Sequence, residues 1–374
     1  MLNHDDLHAA TAPLSRARSM PAGFYTSPAI FAAEREHILL KRWFFLAREE
    51  QVPKPGDYLT FDTTGGPVIL IRGQDGQVRV FANYCRHRGS ILLEGEGNCS
   101  RIVCPYHAWS YLSDGTLYGC PDMKDAEGFD RTENGLVPLR MDSWAGFIFA
   151  TYNKEAPALI DCLGDLPRRM ASHKLHDMAC TWRITLEPNC NWKLILENAM
   201  ETYHTGIVHK DSVGAQQSRT LPTRGDWLCI QVISGRSIAT LPGTQPPFPV
   251  IEDLDDDARQ GTYFTVLHPA LQFAVAQDCM WWLNVTPLAH DRSLLEIGGC
   301  FPKQALDDPD FAAKAKPYYD RWELVGREDV GILEKQQKAL GSVAYKPGPL
   351  SWRDDQVQAI GMWVLDQLEG KLPQ

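Results

Sequence analysis

The spacing of apolar positions changes character along the chain, and each change predicts a different kind of element. Ser27 stands where an N-cap belongs, Pro28 suits a first helical position, and Ile30, Phe31, Ile38, Leu39 and Trp43 follow as an apolar face. From about Gly56 to Tyr152 the apolar runs turn short or alternating. Tyr58-Leu59-Thr60-Phe61, Val68-Ile69-Leu70-Ile71 and Val78-Arg79-Val80-Phe81 are punctuated by Asp75-Gly76, with Asp114-Gly115 further on, which predicts a small antiparallel β module. Beyond about Asn153 the pattern is mixed. A helix is expected over residues 191–205, and strands at Thr262-Tyr263-Phe264-Thr265-Val266 and Trp281-Trp282-Leu283-Asn284-Val285. A helical stretch follows from Pro309 to Leu340, then a last helix opened by Ser351, with Asp354 completing a capping box. Gly243 to Pro249 reads as a surface loop. The predicted fold class is α+β: a β domain over residues 45–155, inserted between an N-terminal helical part (1–44) and a larger body (156–374) of one α+β domain.

Composition changes this picture little. With 374 residues, 44% of them apolar, the chain can bury a large core, most simply as two domains. Its 37 basic and 47 acidic residues give a net charge of −10 with no basic block, so nucleic acid is not an expected partner. No apolar run approaches the ~18 residues of a membrane span. Met1-Leu2-Asn3-His4-Asp5-Asp6 lacks the basic and apolar regions of a secretory leader, so a cytoplasmic location and no membrane partner are expected. In that reducing compartment most of the ten cysteines are expected to be small buried apolar residues.

Two cysteines are set apart by nearby histidines. Cys85-Arg86-His87 and Cys104-Pro105-Tyr106-His107 each offer a thiolate and an imidazole from a short loop, which suits a metal centre at the tip of a β module. A structural zinc ion is the competing explanation, although zinc modules pair cysteine with cysteine and histidine with histidine. Asn83-Tyr84-Cys85-Arg86-His87-Arg88-Gly89 and Cys104-Pro105-Tyr106-His107-Ala108-Trp109-Ser110-Tyr111 resemble the two ligand loops of a Rieske domain. The resemblance implies a 2Fe-2S cluster with Cys85 and Cys104 on one iron and His87 and His107 on the other. Neutral imidazoles in place of thiolates raise the reduction potential of such a cluster. Gly89 is expected to permit the turn beneath the first loop.

A second constellation lies in the helix expected over residues 191–205. On a continuous helix Glu197, Glu201 and His204 share a face, and His209 joins them only if the helix ends or bulges near Gly206. Two histidines and one carboxylate make the facial triad that leaves positions open on non-haem Fe(II). Asn191 and Asn198 fall on one side of that helix. Asn198 and Tyr203 are candidates for hydrogen bonds around the metal, and equally for structural contacts, whereas Trp192 reads as core.

The segment from Glu201 resembles the mononuclear iron motif of Rieske oxygenase large subunits, in which an acid is followed at +3 and +8 by histidines. The resemblance implies His204 and His209 as iron ligands. It nominates Asp329, five residues before Glu334-Lys335-Gln336-Gln337, as the third ligand, with Glu328 as its rival. It casts Glu201 as a hydrogen-bonded bridge to His107 of the adjacent subunit in a head-to-tail homotrimer. Most members carry Asp where this chain has Glu201, and Glu there is similar to some oxygenases acting on quaternary ammonium compounds.

Over nearly the whole chain the resemblance implies a Rieske-type β domain within a helix-grip (START-like) catalytic domain. It also implies O2 as co-substrate and electrons from an NAD(P)H-dependent reductase, with or without a ferredoxin. The expected activity is hydroxylation, dihydroxylation or oxidative demethylation of a small organic substrate, aromatic first and quaternary ammonium (carnitine- or betaine-like) second. A Rieske electron carrier without oxygenase activity is the rival from another class, and it leaves the His204/His209 pair without a role. Phe264, Phe273, Trp281 and Trp282 suit either a pocket wall or plain core.

Overall fold

The computed structural model describes residues 4–372, so Met1, Leu2 and Asn3 of the leader reading lie outside it. Among the described residues no helix is long and apolar enough to cross a membrane. The chain packs as two compact units: Leu40–Ala156, and Met1–Leu39 together with Pro157–Gln374.

The unit Leu40–Ala156 is antiparallel β. A four-stranded sheet runs in the order Val78–Ala82, Gly66–Arg72, Asp57–Thr63, Glu96–Asn98. Two three-stranded sheets accompany it, one of Phe44–Arg48, Phe147–Thr151 and Arg140–Trp144, the other of Ile102–Val103, Ser110–Tyr111 and Leu117–Gly119. Strand Gly66–Arg72 is apolar on both faces, which explains its unbroken Val68-Ile69-Leu70-Ile71 run. Val68 and Leu70 pack with Leu46, Val80 and Ile148, while Ile69 and Ile71 pack with Phe81, Cys85, Cys104 and Trp109. The two cysteine loops are therefore seated on a hydrophobic cluster of their own.

The second unit is built on a seven-stranded antiparallel sheet. Its order is Met178–Leu186, Arg292–Pro302, Met280–Ala289, Leu271–Val275, Gly261–Leu267, Trp227–Ile233, Ser218–Thr220. The 30-residue helix Phe311–Leu340 packs on this sheet at strand Arg292–Pro302. Glycine permits the close approach: a Cβ on Gly326 would stand 2.7 Å from Ile297 Cδ1, and one on Gly299 would collide with the Trp322 ring. At the start of the unit Ser27 Oγ accepts from Ile30 N–H at 3.4 Å, and helix Pro28–Glu34 runs on into a π-helical turn, Arg35–Leu39.

Three local expectations need correction. The helix expected over 191–205 starts on time, with the Asn191 side chain accepting from Lys193 N–H, but it ends at Ala199. Glu201 stops it: its carboxylate accepts from the backbone N–H groups of Tyr203 and His204, competing with helical pairing. A separate short helix, Thr205–Val208, then begins after His204. Gly206 lies inside that turn, where a Cβ would come within 3.2 Å of Ala215 Cβ. The last helix begins at Asp355, because Ser351 and Asp354 close a turn ahead of it: Ser351 N–H donates to Asp354 Oδ2 at 2.6 Å. In the 243–249 loop Phe248 is buried against Phe301, with ring centroids 4.8 Å apart.

Candidate metal centres

The break at Met200 brings His204 and His209 together. His209 Nε2 stands 3.1 Å and His204 Nε2 3.6 Å from Asp329 Oδ1, an oxygen reached from the middle of helix Phe311–Leu340. The outer nitrogen of each ring is held by a different carboxylate. Glu201 Oε1 lies 2.5 Å from His204 Nδ1, and Glu328 Oε2 lies 2.7 Å from His209 Nδ1. A carboxylate accepts, so both Nδ1 atoms carry the proton and both Nε2 lone pairs turn toward Asp329. Burial pulls the His209 pKa down, but Asp329 and Glu328 outweigh it and leave it raised.

Asp329 Oδ1 is buried and has no hydrogen-bond partner. A buried carboxylate oxygen beside two imidazole lone pairs is costly unless a cation fills the gap. Among the described residues, His204, His209 and Asp329 are the group whose ligand atoms all fall within 4.8 Å of one another. Two imidazoles and one carboxylate suit ferrous iron with positions left open.

Other residues of the second constellation lie elsewhere. Glu197 takes the Tyr25 hydroxyl at 2.9 and 3.1 Å, and burial pushes its pKa up to about 8. Asn191 donates to the carbonyls of Tyr25 and His290, and Tyr203 is 61% exposed. Trp192 is buried, with its indole N–H on Glu34. Glu328, weighed from sequence as a rival ligand, acts behind His209 instead, together with Ser212, whose hydroxyl donates to the same oxygen at 2.7 Å.

A cavity opens beside the triad. It spans about 750 Å³ between its lining atoms, including solvent at its mouth, and reaches Asn198 and Glu201. Phe264, Phe273 and Trp281 form its wall, while Trp282 points away and packs over Gly298. Arg321, from the same helix as Asp329, lines the far part. Nothing in the sequence singled it out among the charged residues of that helix.

In the β unit the two cysteine loops share one backbone plan despite their different spacing. The residue four beyond each cysteine donates its N–H to the cysteine carbonyl, Gly89 at 2.9 Å and Ala108 at 3.1 Å. Each cysteine N–H donates to the carbonyl five residues on, Ser90 at 2.8 Å and Trp109 at 2.7 Å. Both +4 residues have positive φ, +75° at Gly89 and 56° at Ala108, so the glycine meets the requirement read from sequence. Cys85 and Cys104 are buried, whereas His87 is exposed and His107 partly so. The imidazole centroids are 4.8 Å apart, and Trp109 stacks on His87 at 5.0 Å. These four side chains do not close around a single point as His204, His209 and Asp329 do. That spread disfavours one tetrahedral zinc and suits a two-iron cluster. The Tyr111 hydroxyl lies 3.4 Å from Cys85 Sγ, and Arg88 reaches His107 Nε2 at 2.8 Å. Of the other cysteines, Cys190, Cys229, Cys279 and Cys300 are core, where burial pushes Cys190 up to about 12 and raises Cys229 and Cys279 as well, whereas Cys99, Cys120, Cys162 and Cys180 are half-buried.

Residues 174–370 match the family described as the ring hydroxylating alpha subunit (catalytic domain), and residues 42–134 match the Rieske [2Fe-2S] domain. The chain belongs to the ring-hydroxylating oxygenase alpha-subunit family. This Rieske oxygenase subunit is therefore an oxidoreductase whose cofactors are a 2Fe-2S cluster and a mononuclear iron. It is 28% identical to the glycine betaine monooxygenase oxygenase subunit of Chromohalobacter salexigens, over 91% of this chain and 84% of that one. It is also similar to a solved quaternary ammonium Rieske monooxygenase, studied for carnitine oxidation by gut microbiota and inter-subunit electron transfer. That match has 26% identity and a TM-score of 0.82, and covers 96% of this chain and 97% of that one. Naphthalene 1,2-dioxygenase from Rhodococcus shares the fold at a TM-score of 0.81 over the full length of both chains, with 20% identity. Above the level of fold, then, the likeness runs to quaternary ammonium monooxygenases.

Proposed function

We propose that this oxygenase subunit is the terminal component of a monooxygenase for quaternary ammonium compounds, fed with electrons by an NAD(P)H-dependent reductase. The observation that carries the reading is the likeness over most of the chain to a glycine betaine monooxygenase subunit and a quaternary ammonium monooxygenase. The aromatic side chains of Phe264 and Phe273, which line one cavity with His204, His209 and Asp329, support it, since aromatic faces attract a cation that cannot donate hydrogen bonds.

In this assignment His204, His209 and Asp329 hold the mononuclear iron, and Cys85, Cys104, His87 and His107 hold the cluster. When bound, the two metal centres supply the stored electron and the site of O2 activation. The protein's part is positional. Glu201 and Glu328 fix the two imidazoles in one tautomer with the Nε2 atoms inward, and the cavity wall orients the substrate and excludes bulk water. The Leu40–Ala156 unit is the electron-accepting module, and its exposed His87 edge is where a partner can approach. Glu201, at the boundary between triad and cavity, is assigned the bridge to His107 of the next subunit in a homotrimer, a heterologous interface closed by rotation. We place the assembly in the cytoplasm, where its ten cysteines stay reduced.

The test is oxygen uptake by the cofactor-loaded protein with a competent reductase, against betaines, choline, arenes and aromatic acids. Uptake coupled to loss or oxidation of a substrate alkyl group with a quaternary ammonium compound is the expected result. Coupled uptake with arenes alone would overturn the assignment.

A further inference from the structure

Arg321 is 4% exposed, yet its Nε is buried without a hydrogen-bond partner, and its guanidinium forms no hydrogen bond or ion pair among the described residues. What it does touch is the face of Trp281, 4.9 Å from the ring centroid. Burial pulls its pKa down to about 10, opposed by the nearby charges of Asp329 and Glu328. A guanidinium offers five N–H donors in a fixed fork; here the Nε–H is buried without an acceptor, and the side chain borders the cavity. It lines the same cavity as the His204/His209/Asp329 triad.

We propose that Arg321 is the carboxylate anchor of the substrate cavity, so that the substrate is a zwitterion whose acid end sits on Arg321 and whose quaternary ammonium end faces the triad. This rests on the quaternary ammonium reading for one end of the molecule only. Arg321 precedes Asp329 by eight residues on one helix, about two turns or ~12 Å of axial rise. Trp322, Val325 and Gly326 line the cavity between them. A carboxylate taken by the guanidinium fork is thus held away from the triad, and the alkyl groups at the opposite end are presented to it. The same charge selects against a bare cation, which would bring a second positive charge into the cavity without a carboxylate of its own to meet the guanidinium.

Anaerobic calorimetry on the cofactor-loaded protein separates the two ends of the ligand. The probes are glycine betaine and γ-butyrobetaine (both groups), choline (ammonium only) and benzoate (carboxylate only). We expect a betaine to bind at least about 30-fold more tightly than choline. Arg321→Gln should remove that advantage, and Arg321→Lys should restore part of it, because lysine keeps the charge without the fork. Cluster absorbance and iron content check that each variant is folded. Equal binding of choline and the betaines to the natural protein overturns the anchor, as does undiminished betaine affinity in folded Arg321→Gln. The first criterion decides the matter even if the variant does not fold. If benzoate binds through Arg321 and neither betaine nor choline binds, the anchor stands and the quaternary ammonium reading fails. If no carboxylate binds more tightly than choline, the anchor fails.

Discussion

Glu328 Oε2 lies 2.7 Å from His209 Nδ1, one residue before the Asp329 oxygen that faces the other nitrogen of the same ring. Adjacent acids on one helix thus serve the same imidazole from opposite sides. An anchored Nδ1–H fixes the tautomer and raises the basicity of Nε2. Glu328→Ala should therefore weaken iron binding by about 10–100-fold without removing a ligand. Glu328→Gln, whose side-chain oxygen can still accept from Nδ1–H, should lose less. Iron retained after dialysis against a graded chelator series measures both, and equal retention in all three proteins would refute the role.

The bridge proposed for Glu201 can be separated by one substitution from the local contacts that it makes. Glu201 accepts from His204 Nδ1 and from two backbone N–H groups that shape the loop, so Glu201→Ala disturbs the metal site as well as any bridge. Glu201→Gln keeps the length and one accepting oxygen. It should retain both metals while slowing re-oxidation of the reduced cluster by O2 and substrate at least about 100-fold, the scale of losing a positioned contact. Cluster absorbance followed after rapid mixing reads this out. Normal re-oxidation with full iron content would remove Glu201 from the electron path.

The Tyr111 hydroxyl 3.4 Å from Cys85 Sγ suggests a measurable effect on potential. Its O–H can donate to a cluster-bound thiolate, and that bond strengthens as the cluster gains negative charge on reduction. Hydrogen bonds to the sulfurs are among the terms that set such potentials. Tyr111→Phe should lower the reduction potential by on the order of 50 mV, equivalent to about 1 kcal/mol for one electron. Redox titration monitored by electron paramagnetic resonance checks the value, and a rise would mean that the hydroxyl accepts here instead.

Legibility in the sequence followed the range of the interactions. The cysteine loops could be read because each pair is local and its turn needs a left-handed residue, supplied openly by Gly89 and less openly by Ala108. The iron motif was readable as spacing but not as shape. A uniform helix period placed Glu197 with Glu201 and His204, whereas the Glu201 carboxylate breaks the helix and Glu197 turns to Tyr25. Asp329 is nominated by its distance from Glu334, but the place of Glu328 at His209 Nδ1 is hidden, because the two acids look alike until the fold sets Asp329 Oδ1 against both Nε2 atoms. Arg321 left no trace at all, since only tertiary burial distinguishes it from the exposed charges on the same helix.

In helix Trp192–Ala199, Lys193 Nζ forms a fully buried ion pair with Glu34 Oε1 at 2.5 Å, and the ammonium also lies over the Phe24 ring at 4.6 Å. Removing one partner strands a charge. Lys193→Met should destabilise the protein by about 3–5 kcal/mol, while adding Glu34→Gln should recover much of that, because a neutral amide can still accept from Trp192 Nε1–H. Denaturant midpoints of the cofactor-loaded proteins measure this, and an additive loss in the double variant would contradict the pairing.

Glu197 supplies a pH test with a definite sign. Burial, opposed by Tyr25 and Lys193, pushes its pKa up to about 8, against about 4.3 for an exposed glutamate. Between those values the folded chain keeps the proton that the unfolded chain releases. Folding stability from this group is fully present below about pH 4.3 and is lost as pH rises through about 8, with a slope of at most about 1.4 kcal/mol per pH unit. Lys193, whose pKa burial lowers, contributes the opposite slope at higher pH, so the difference between the natural protein and Glu197→Gln is the quantity to measure. Glutamine can still accept from the Tyr25 hydroxyl but cannot titrate. Its stability advantage over the natural protein should therefore grow from about pH 5 to pH 8 in urea titrations. A difference independent of pH would mean that Glu197 is already ionised in the fold.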